Sequence, residues 1–192
     1  MRTVVDDPNL DPERFRAYLR LLAEAHLGRG GWPGVEPSDV VQQTLLDAHK
    51  DRDRYRGSTE AEHCAWLRRI LACNLADAAR GLSRLKRDAA RVRSLEDALN
   101  ASSARLEDWL AAEQSSPSER VERNEAVVRL ANALAQLPED NRRALVLRHC
   151  QGLSLAEISA ALGRTPQAVA GLLKRGLAAL RELMPDDGSR AQ

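Results

Sequence analysis

Aromatic residues are scarce in this chain of 192 residues, since one Phe, two Tyr and three Trp make up only 3% of it. β-Branched residues are also few, whereas Ala and Leu are abundant, so the composition favours helices over strands. No run of about 18 apolar residues is present, which excludes a transmembrane helix of ordinary length. The first residues lack the apolar core of a signal peptide, so we expect a cytoplasmic protein with no membrane association.

Cysteine is equally sparse. Cys64, Cys73 and Cys150 are odd in number and scattered, which fits reduced thiols in a cytoplasm rather than a disulfide framework. No C-x-x-C or H-x-x-x-H spacing accompanies them, so we expect no metal site and no cofactor. Glycine-rich phosphate loops and a recognisable nucleophile with its base are absent as well. An enzyme is therefore the least favoured class of protein.

Neither sign of charge dominates the chain, which has 29 Lys and Arg, 28 Asp and Glu, and a formal net charge of +1. Residues 139–184 carry a local excess, with seven basic side chains and four acidic ones. A protein that holds DNA by itself is normally more basic, because phosphate contacts supply most of the non-specific affinity. We therefore expect this chain to need a partner in order to hold DNA tightly.

The most informative segment is 136–184, which reads as three helices joined by two short turns. Ser154 and Glu157 have the spacing of a capping box, so they predict the start of a helix. Gly163 suits the left-handed conformation that ends a helix, and Thr165 caps the helix that follows at once. Two helices separated by so short a turn must cross steeply. This pattern predicts a helix-turn-helix, which presents its second helix to a DNA major groove.

Apolar residues follow helical spacing along both of these helices. The predicted buried stripes are Leu153, Ala156, Ile158, Ala161 and Leu162, then Val169, Leu172, Leu173, Leu177, Leu180 and Leu183. The residues left outward on the second helix are polar, small or basic. Small side chains would let the backbone approach a duplex, and basic ones could meet phosphates. The alternative is a plain helical hairpin whose charges are only solvated. In such a hairpin the tight turn with a cap on each side would have no evident purpose.

The whole chain predicts an all-α protein made of two small helical domains. Residues 10–82 contain three helical patterns, the third of which begins at a capping box formed by Thr59 and Glu62. Residues 83–116 are rich in Ser, Ala and acids, and we expect a flexible linker there with at most weak helix. Residues 117–185 predict a four-helix domain that ends in the helix-turn-helix.

Two sets of short motifs lie in order along the chain. The first set is Asp39-Val-Val-Gln-Gln-Thr-Leu-Leu-Asp-Ala-His49, Tyr55-Arg56-Gly57, Ala65-Trp66-Leu67 and Asn74-Leu-Ala-Asp77-Ala-Ala-Arg80. The second set is Leu137-Pro138-Glu139, Gly152-Leu-Ser-Leu-Ala-Glu-Ile158 and Leu162-Gly163. With these motifs the chain resembles a bacterial RNA polymerase sigma factor of the sigma-70 family, through regions two and four. The linker is too short for the middle domain of housekeeping members, which points to the short extracytoplasmic-function (ECF) group.

The resemblance implies a transcription initiation factor without catalytic activity of its own. It would bind core RNA polymerase at the clamp helices and the flap, direct the enzyme to specific promoters, and assist promoter melting. The docking surface would be the polar face of the helix predicted at residues 39–51. The residues of that face are Asp39, Gln42, Gln43, Leu46 and Asp47. Gln43 stands where relatives usually have an acid, which removes one possible ion pair with the polymerase.

The resemblance also assigns the contacts with the −10 promoter element to residues 54–80. The candidate DNA-binding residues are Arg54, Arg56, Trp66, Arg68, Arg69, Asn74 and Arg80. A pocket for an unstacked base is expected at residues 57–63, because holding a melted base needs contacts that offset the lost stacking. For Trp66 a place in the core is favoured over a role as a stacking platform.

The −35 element would be read by the second helix of the helix-turn-helix. The candidate residues are Arg164, Thr165, Gln167, Ala168, Gly171, Lys174 and Arg175. Many relatives carry a basic, polar segment where this chain has Ala170-Gly171-Leu172, so we expect base recognition to depend mostly on Arg164 and Gln167.

We expect a monomer when the chain is free, with an anti-sigma protein as a candidate regulator. Two other interpretations stay open. One is a stand-alone helix-turn-helix regulator that binds an operator as a dimer. The other is a helical adaptor that binds only proteins.

Overall fold

In the computed structural model of the chain, the described residues are 11–27, 32, 34–83, 89–113 and 120–184. Every regular element in these ranges is a helix, which confirms the predicted all-α fold. The chain divides between Ser103 and Ala104 into two compact units. None of the helices in the described ranges has the length and apolar character needed to cross a membrane.

The first unit contains three helices and the first half of a fourth. A 3₁₀ turn, Pro12–Phe15, leads into α1 at Arg16–Leu27, and α2 spans Pro37–Lys50. A second 3₁₀ turn, Arg52–Arg54, precedes α3 at Glu60–Ser83, and α4 spans Ala89–Glu113. The fully buried side chains of this unit include Phe15, Leu19, Leu22, Leu67, Leu71 and Leu75.

The capping box predicted for α3 is confirmed. The Glu62 N–H donates to Thr59 Oγ1 at 3.2 Å, and the Thr59 N–H donates to the Glu62 carboxylate at 3.1 Å. A third donor, the Ser58 N–H, lies 2.8 Å from the same carboxylate. These backbone N–H groups hold the pKa of Glu62 below its usual range. The cap therefore fixes both the first residue of α3 and the loop before it.

A polar network joins α4 to α1 and α3 within the first unit. The Tyr18 hydroxyl donates to Ser103 Oγ at 3.0 Å, and it accepts from Arg68 Nη1 at 2.7 Å. Arg68 Nε also donates to Asn100 Oδ1 at 2.6 Å. Burial raises the pKa of Tyr18 to about 12, so the hydroxyl keeps its proton and its role as a donor.

The second unit contains the last residues of α4 and four further helices. Helix α5 spans Arg120–Ala135, and α6 spans Glu139–Leu145 before a π-helical turn at Val146–Cys150. Helices α7 and α8 follow at Leu155–Leu162 and Pro166–Leu183. They are joined by three residues alone, as the sequence predicts.

Each local signal of the helix-turn-helix is confirmed. Ser154 and Glu157 form a complete capping box at the start of α7. Gly163 ends that helix in the left-handed conformation, with φ of 61°. The Thr165 hydroxyl accepts from the Ala168 N–H at 3.3 Å and so caps α8.

The predicted buried stripes are confirmed for five residues and wrong for three, whereas Leu162, Leu173 and Leu177 are half-buried. Ile158 and Val169 are fully buried, together with Leu153, Leu172 and Leu180 at 8% exposure or less. Ala156 and Ala161 are exposed, because the two turns of α7 bury only the side that carries Ile158. Leu183 is 41% exposed at the last turn of α8.

The expectation of at most weak helix in the linker at residues 83–116 is wrong where the structure describes that range. Residues 89–113 form one continuous helix of 25 residues. It buries Leu95, Leu99, Leu106 and Trp109, and such tertiary burial stabilises a helix whose own residues favour it only weakly. The rest of the predicted linker, residues 84–88 and 114–116, lies outside the described residues, as do residues 117–119 at the start of the predicted C-terminal domain.

Candidate nucleic-acid interface

Helix α8 has two sides of opposite character. Val169, Leu172 and Gly176 are buried, and they repeat at the spacing of one helical face. The predicted −35 residues lie on the solvent side. Arg164, Thr165, Gln167, Ala168, Lys174 and Arg175 are exposed, and Gly171 is half-buried. The structure thus brings all seven together on one surface, which we name the recognition surface.

Gly171 lies beneath a basic side chain of this surface. A Cβ atom at Gly171 would stand 3.1 Å from Arg175 Nη1, so the guanidinium is folded back over the glycine. The positive charge therefore lies close to the helix backbone, where a phosphate that approaches the helix could meet it.

Arg164 is held by an acid from another helix. Its Nη2 atom lies 2.5 Å from Asp140 Oδ2, in the first turn of α6. Both side chains are about half-exposed, at 47% and 55%. No local sequence pattern points to Asp140, since 24 residues separate it from Arg164.

An aromatic cluster lies under the loop in which a base pocket is predicted. The His63 ring centre lies 5.0 Å from that of Phe15, 5.1 Å from that of Tyr55 and 5.4 Å from that of Trp66. Tyr55 and Trp66 are both half-buried, and their ring centres are 4.7 Å apart. Trp66 therefore belongs to this cluster, with part of its ring in contact with solvent.

Three buried polar atoms of the aromatic cluster have no hydrogen-bond partner among the described residues. His63 is 2% exposed, and neither of its ring nitrogens is paired. Burial, followed by the nearby Arg52 charge, lowers the pKa of His63 to about 4, so the ring is neutral at pH 7. The Tyr55 hydroxyl is also buried and unpaired, and burial raises its pKa to about 12. A Cβ atom at Gly57 would overlap this hydroxyl, so Tyr55 packs directly against the loop.

The other predicted −10 residues fall into two groups. Arg54, Arg56 and Arg69 are exposed, although Arg54 pairs with Asp51 at 3.2 Å. Arg68 and Asn74 are half-buried and make hydrogen bonds inside the first unit. The structure thus brings only part of the predicted set to solvent.

Arg69 and Arg80 border a cleft of about 470 Å³ between α3 and α4. Arg80 forms an ion pair with Asp77 on the same helix. The cleft also contains Cys73, which is exposed, and Arg93 from α4. In the described part of the chain, no group of three or more His, Cys, Asp or Glu side chains is placed to hold a metal ion.

The predicted docking residues form one outward face of α2, which we name the α2 face. Asp39, Gln42 and Gln43 are exposed, Asp47 is half-buried, and Leu46 is 46% exposed in the middle of these polar groups. A single exposed apolar side chain is ordinary on a protein surface, so the α2 face is distinguished by the polar groups around Leu46 rather than by Leu46 itself.

Several hydrogen bonds order the α2 face. Gln43 Nε2 donates to Asp47 Oδ1 at 2.8 Å, and Asn74 Nδ2 donates to Asp47 Oδ2 at 3.3 Å. Burial alone would raise the pKa of Asp47, but hydrogen bonds from Gln43, Asn74 and Lys50 outweigh burial and lower the pKa. Arg16 Nη1 also donates to Gln42 Oε1 at 3.0 Å. Asn74 therefore positions an acid of the α2 face.

Known proteins are similar to this chain in sequence. Residues 128–180 match the family model for sigma-70, region 4. The chain is 34% identical to the RNA polymerase sigma factor CarQ of Myxococcus xanthus over 183 aligned residues. The alignment covers 90% of this chain and 94% of CarQ. The chain belongs to the sigma-70 family of RNA polymerase sigma factors. It is a transcription initiation factor of the ECF group, as the motifs predict.

A second relative of this sigma factor is the RNA polymerase sigma factor CnrH of Cupriavidus metallidurans. It is 29% identical over 185 residues, which cover 91% of this chain and 90% of CnrH. A solved structure of the sigma factor RpoE in complex with the anti-sigma factor NepR from Bartonella quintana covers 91% of this chain and 96% of that one. Its identity is 18% and its TM-score is 0.34.

Sequence reasoning missed the aromatic cluster as a unit. The spacing of His63 and Trp66 places them on one side of α3, and that local signal was available. Phe15 and Tyr55 come from other elements, and only the tertiary structure brings their rings to His63.

Proposed function

We propose that this sigma factor binds core RNA polymerase through the α2 face and positions two DNA-contacting surfaces on one promoter. The observation that carries the proposal is the α2 face itself, where Leu46 is exposed among ordered polar groups. Its acids and amides suit pairing with basic and amide side chains of a partner helix. The sigma factor catalyses no reaction itself and supplies promoter selectivity to the polymerase.

The aromatic cluster supports a role in promoter melting. Tyr55 and Trp66 present partly exposed rings beside the loop that contains Gly57. An unstacked base of the −10 element would gain stacking of about 1–3 kcal/mol on such rings, which offsets the loss of duplex stacking.

The recognition surface supports contact with the −35 element. Arg164 and Gln167 are the exposed side chains there that can make bidentate contacts with base edges, to guanine and to adenine respectively. Lys174 and Arg175 would hold the adjacent phosphates. We expect the Arg164→Ala variant to lose about 1–3 kcal/mol of −35 selectivity if Arg164 makes a bidentate contact.

The test of the whole proposal is transcription in vitro with purified core RNA polymerase. We expect promoter-specific initiation when the sigma factor is added, together with a stable complex on gel filtration. If neither initiation nor a complex is seen with core enzyme from a related bacterium, the proposal is wrong.

The α2 face is tested with the double variant Asp39→Arg, Gln42→Ala. We expect weaker binding to core enzyme with only a small loss of stability, about 1 kcal/mol, because both side chains are exposed, Asp39 lies in the first turn of α2, and Gln42 accepts one hydrogen bond from Arg16. The matched control is Asp108→Arg, which reverses the charge of an equally exposed acid on α4. If the double variant binds as the control does, the docking assignment is wrong.

We further propose that the free sigma factor is a cytoplasmic monomer, with an anti-sigma protein as its regulator. Light scattering measures the mass of the free chain directly. A stable dimer that shifts an operator duplex without polymerase would favour the stand-alone regulator instead.

A further inference from the structure

The contact between Arg164 and Asp140 places a negative charge against the recognition surface. Asp140 lies in α6, and its carboxylate reaches the Arg164 guanidinium in the turn between α7 and α8, at 2.5 Å. An ion pair as exposed as this one typically contributes only about 0–1 kcal/mol to folding. Its larger effect is on what else the guanidinium can bind.

Asp140 neutralises one of the three cations on the recognition surface. The other two are Lys174 and Arg175, and neither has an acidic partner among the described residues. Residues 139–184 have few basic side chains for a DNA-binding segment. Neutralising one of them therefore lowers the affinity for DNA by a larger share than it would on a strongly basic surface.

A carboxylate and a phosphate use the same donors of a guanidinium. Arg pairs with either group through its terminal N–H groups, and often through two of them at once. Arg164 Nη2 already donates to Asp140 Oδ2. Duplex DNA that approaches the recognition surface must therefore displace the carboxylate before Arg164 can contact a base edge of the −35 element or, on DNA of any other sequence, a phosphate.

We propose that Asp140 is an internal competitor of DNA for Arg164, which lowers the affinity of the free chain for duplex DNA of any sequence. This inference rests on the proposed contact of Arg164 with DNA. The free sigma factor therefore binds DNA more weakly than its recognition surface alone would allow. When polymerase holds that surface against a promoter, the high local concentration of DNA offsets the competition from Asp140.

The experiment measures binding of the full chain to a short fluorescein-labelled duplex of random sequence, by anisotropy over a series of salt concentrations. We expect Asp140→Asn to tighten binding by roughly two- to fivefold relative to the matched control, the range that corresponds to an exposed ion pair.

The matched control is Glu139→Gln. Glu139 is the neighbouring exposed acid of α6, so this variant has the same change in net charge but leaves the pair of Arg164 and Asp140 intact. The second control repeats Asp140→Asn in the Arg164→Ala background, in which we expect the gain in affinity to disappear. Thermal unfolding verifies that all variants are folded.

Two outcomes would overturn the inference. Asp140→Asn could bind no tighter than Glu139→Gln, or it could bind more weakly than the unaltered chain, which would make Asp140 a positioning partner of Arg164. A separate outcome concerns the proposed function. If Arg164→Ala alone leaves both duplex binding and −35 selectivity unchanged, then Arg164 does not contact DNA at all.

Discussion

At the scale of the residue, His63 has the least usual surroundings. It is buried among three aromatic rings with both ring nitrogens unpaired. Burial of an unpaired polar group costs free energy, and native proteins keep such groups mostly where they have a function. This burial has one measurable consequence, because it keeps the ring neutral at pH 7.

The pH dependence of stability tests the burial of His63. Its folded pKa of about 4 lies below the ordinary value of 6.5. As the pH falls between these values, the unfolded chain takes up a proton that the folded chain does not, so stability decreases. We expect His63→Leu to remove this decrease, which amounts to at most about 1.4 kcal/mol per pH unit.

Urea unfolding of both chains at several pH values between 4 and 7 measures that difference. Because every other titrating group is shared, the difference between the two stability curves isolates His63. Two parallel curves would show that His63 is not protected from protonation.

Two glycines of α8 give a matched pair of packing predictions. A Cβ atom at Gly176 would lie 2.9 Å from Leu145 Cδ1 in the core. Such overpacking typically costs about 1–3 kcal/mol, against a gain of up to about 1 kcal/mol in helix propensity, so Gly176→Ala should destabilise the chain. At Gly171 the nearest atom is the mobile end of Arg175, so Gly171→Ala should be neutral or slightly stabilising.

Chemical denaturation of the two glycine variants measures the contrast within one helix. Equal unfolding free energies would mean that α8 does not approach α6 as closely at Gly176 as the structure shows.

At the scale of the element, α4 is the helix whose packing differs most from the expectation of weak helix in this range. In the second unit the Trp109 ring stacks on His149, with ring centres 3.9 Å apart and planes 14° apart. Arg105 Nη1 donates to the Cys150 carbonyl at 3.1 Å, at the end of the π-helical turn. This part of α4 therefore supports the turn that leads into the helix-turn-helix.

Trp109→Ala tests whether α4 is a structural element or a tether. Removal of a Trp that is 8% exposed should cost about 3 kcal/mol or more, because it leaves a cavity beside His149. Trp109→Phe keeps an aromatic ring in place and should recover a large part of this loss. Thermal unfolding of both variants is the measurement, and an unchanged midpoint for Trp109→Ala would indicate a tether.

At the scale of the whole molecule, the charge balance limits what the chain can do alone. Its net charge is +1, and the recognition surface has three cations. If all three contact phosphates, the slope of log affinity against log salt should be no steeper than about −3. A surface of this kind supplies selectivity to a larger assembly more readily than it supplies affinity.

The comparison of the free chain with the polymerase complex tests this view. We expect weak, salt-sensitive binding of a promoter duplex by the chain alone, and binding that is tighter by several orders of magnitude once core enzyme is added. Tight operator-like binding by the chain alone, at physiological salt, would contradict it.

Local signals in the sequence were sufficient for the helix-turn-helix and for the α2 face. Ser154, Gly163 and Thr165 act within one helical turn, so their roles follow from residue type and spacing. The outward face of α2 likewise follows from helical periodicity alone. These elements form as predicted because nothing distant in the chain competes with their local preferences.

Tertiary packing decided the rest. Helix α4 has weak local signals, and it is buried through Leu99 in one unit and Trp109 in the other. The pairing of Arg164 with Asp140 and the enclosure of His63 depend on residues far apart in sequence. Residue type and spacing were enough to place the helix ends that have strong caps. Contacts between segments far apart in sequence decided that residues 89–113 form a packed helix and that Asp140 pairs with Arg164 on the recognition surface.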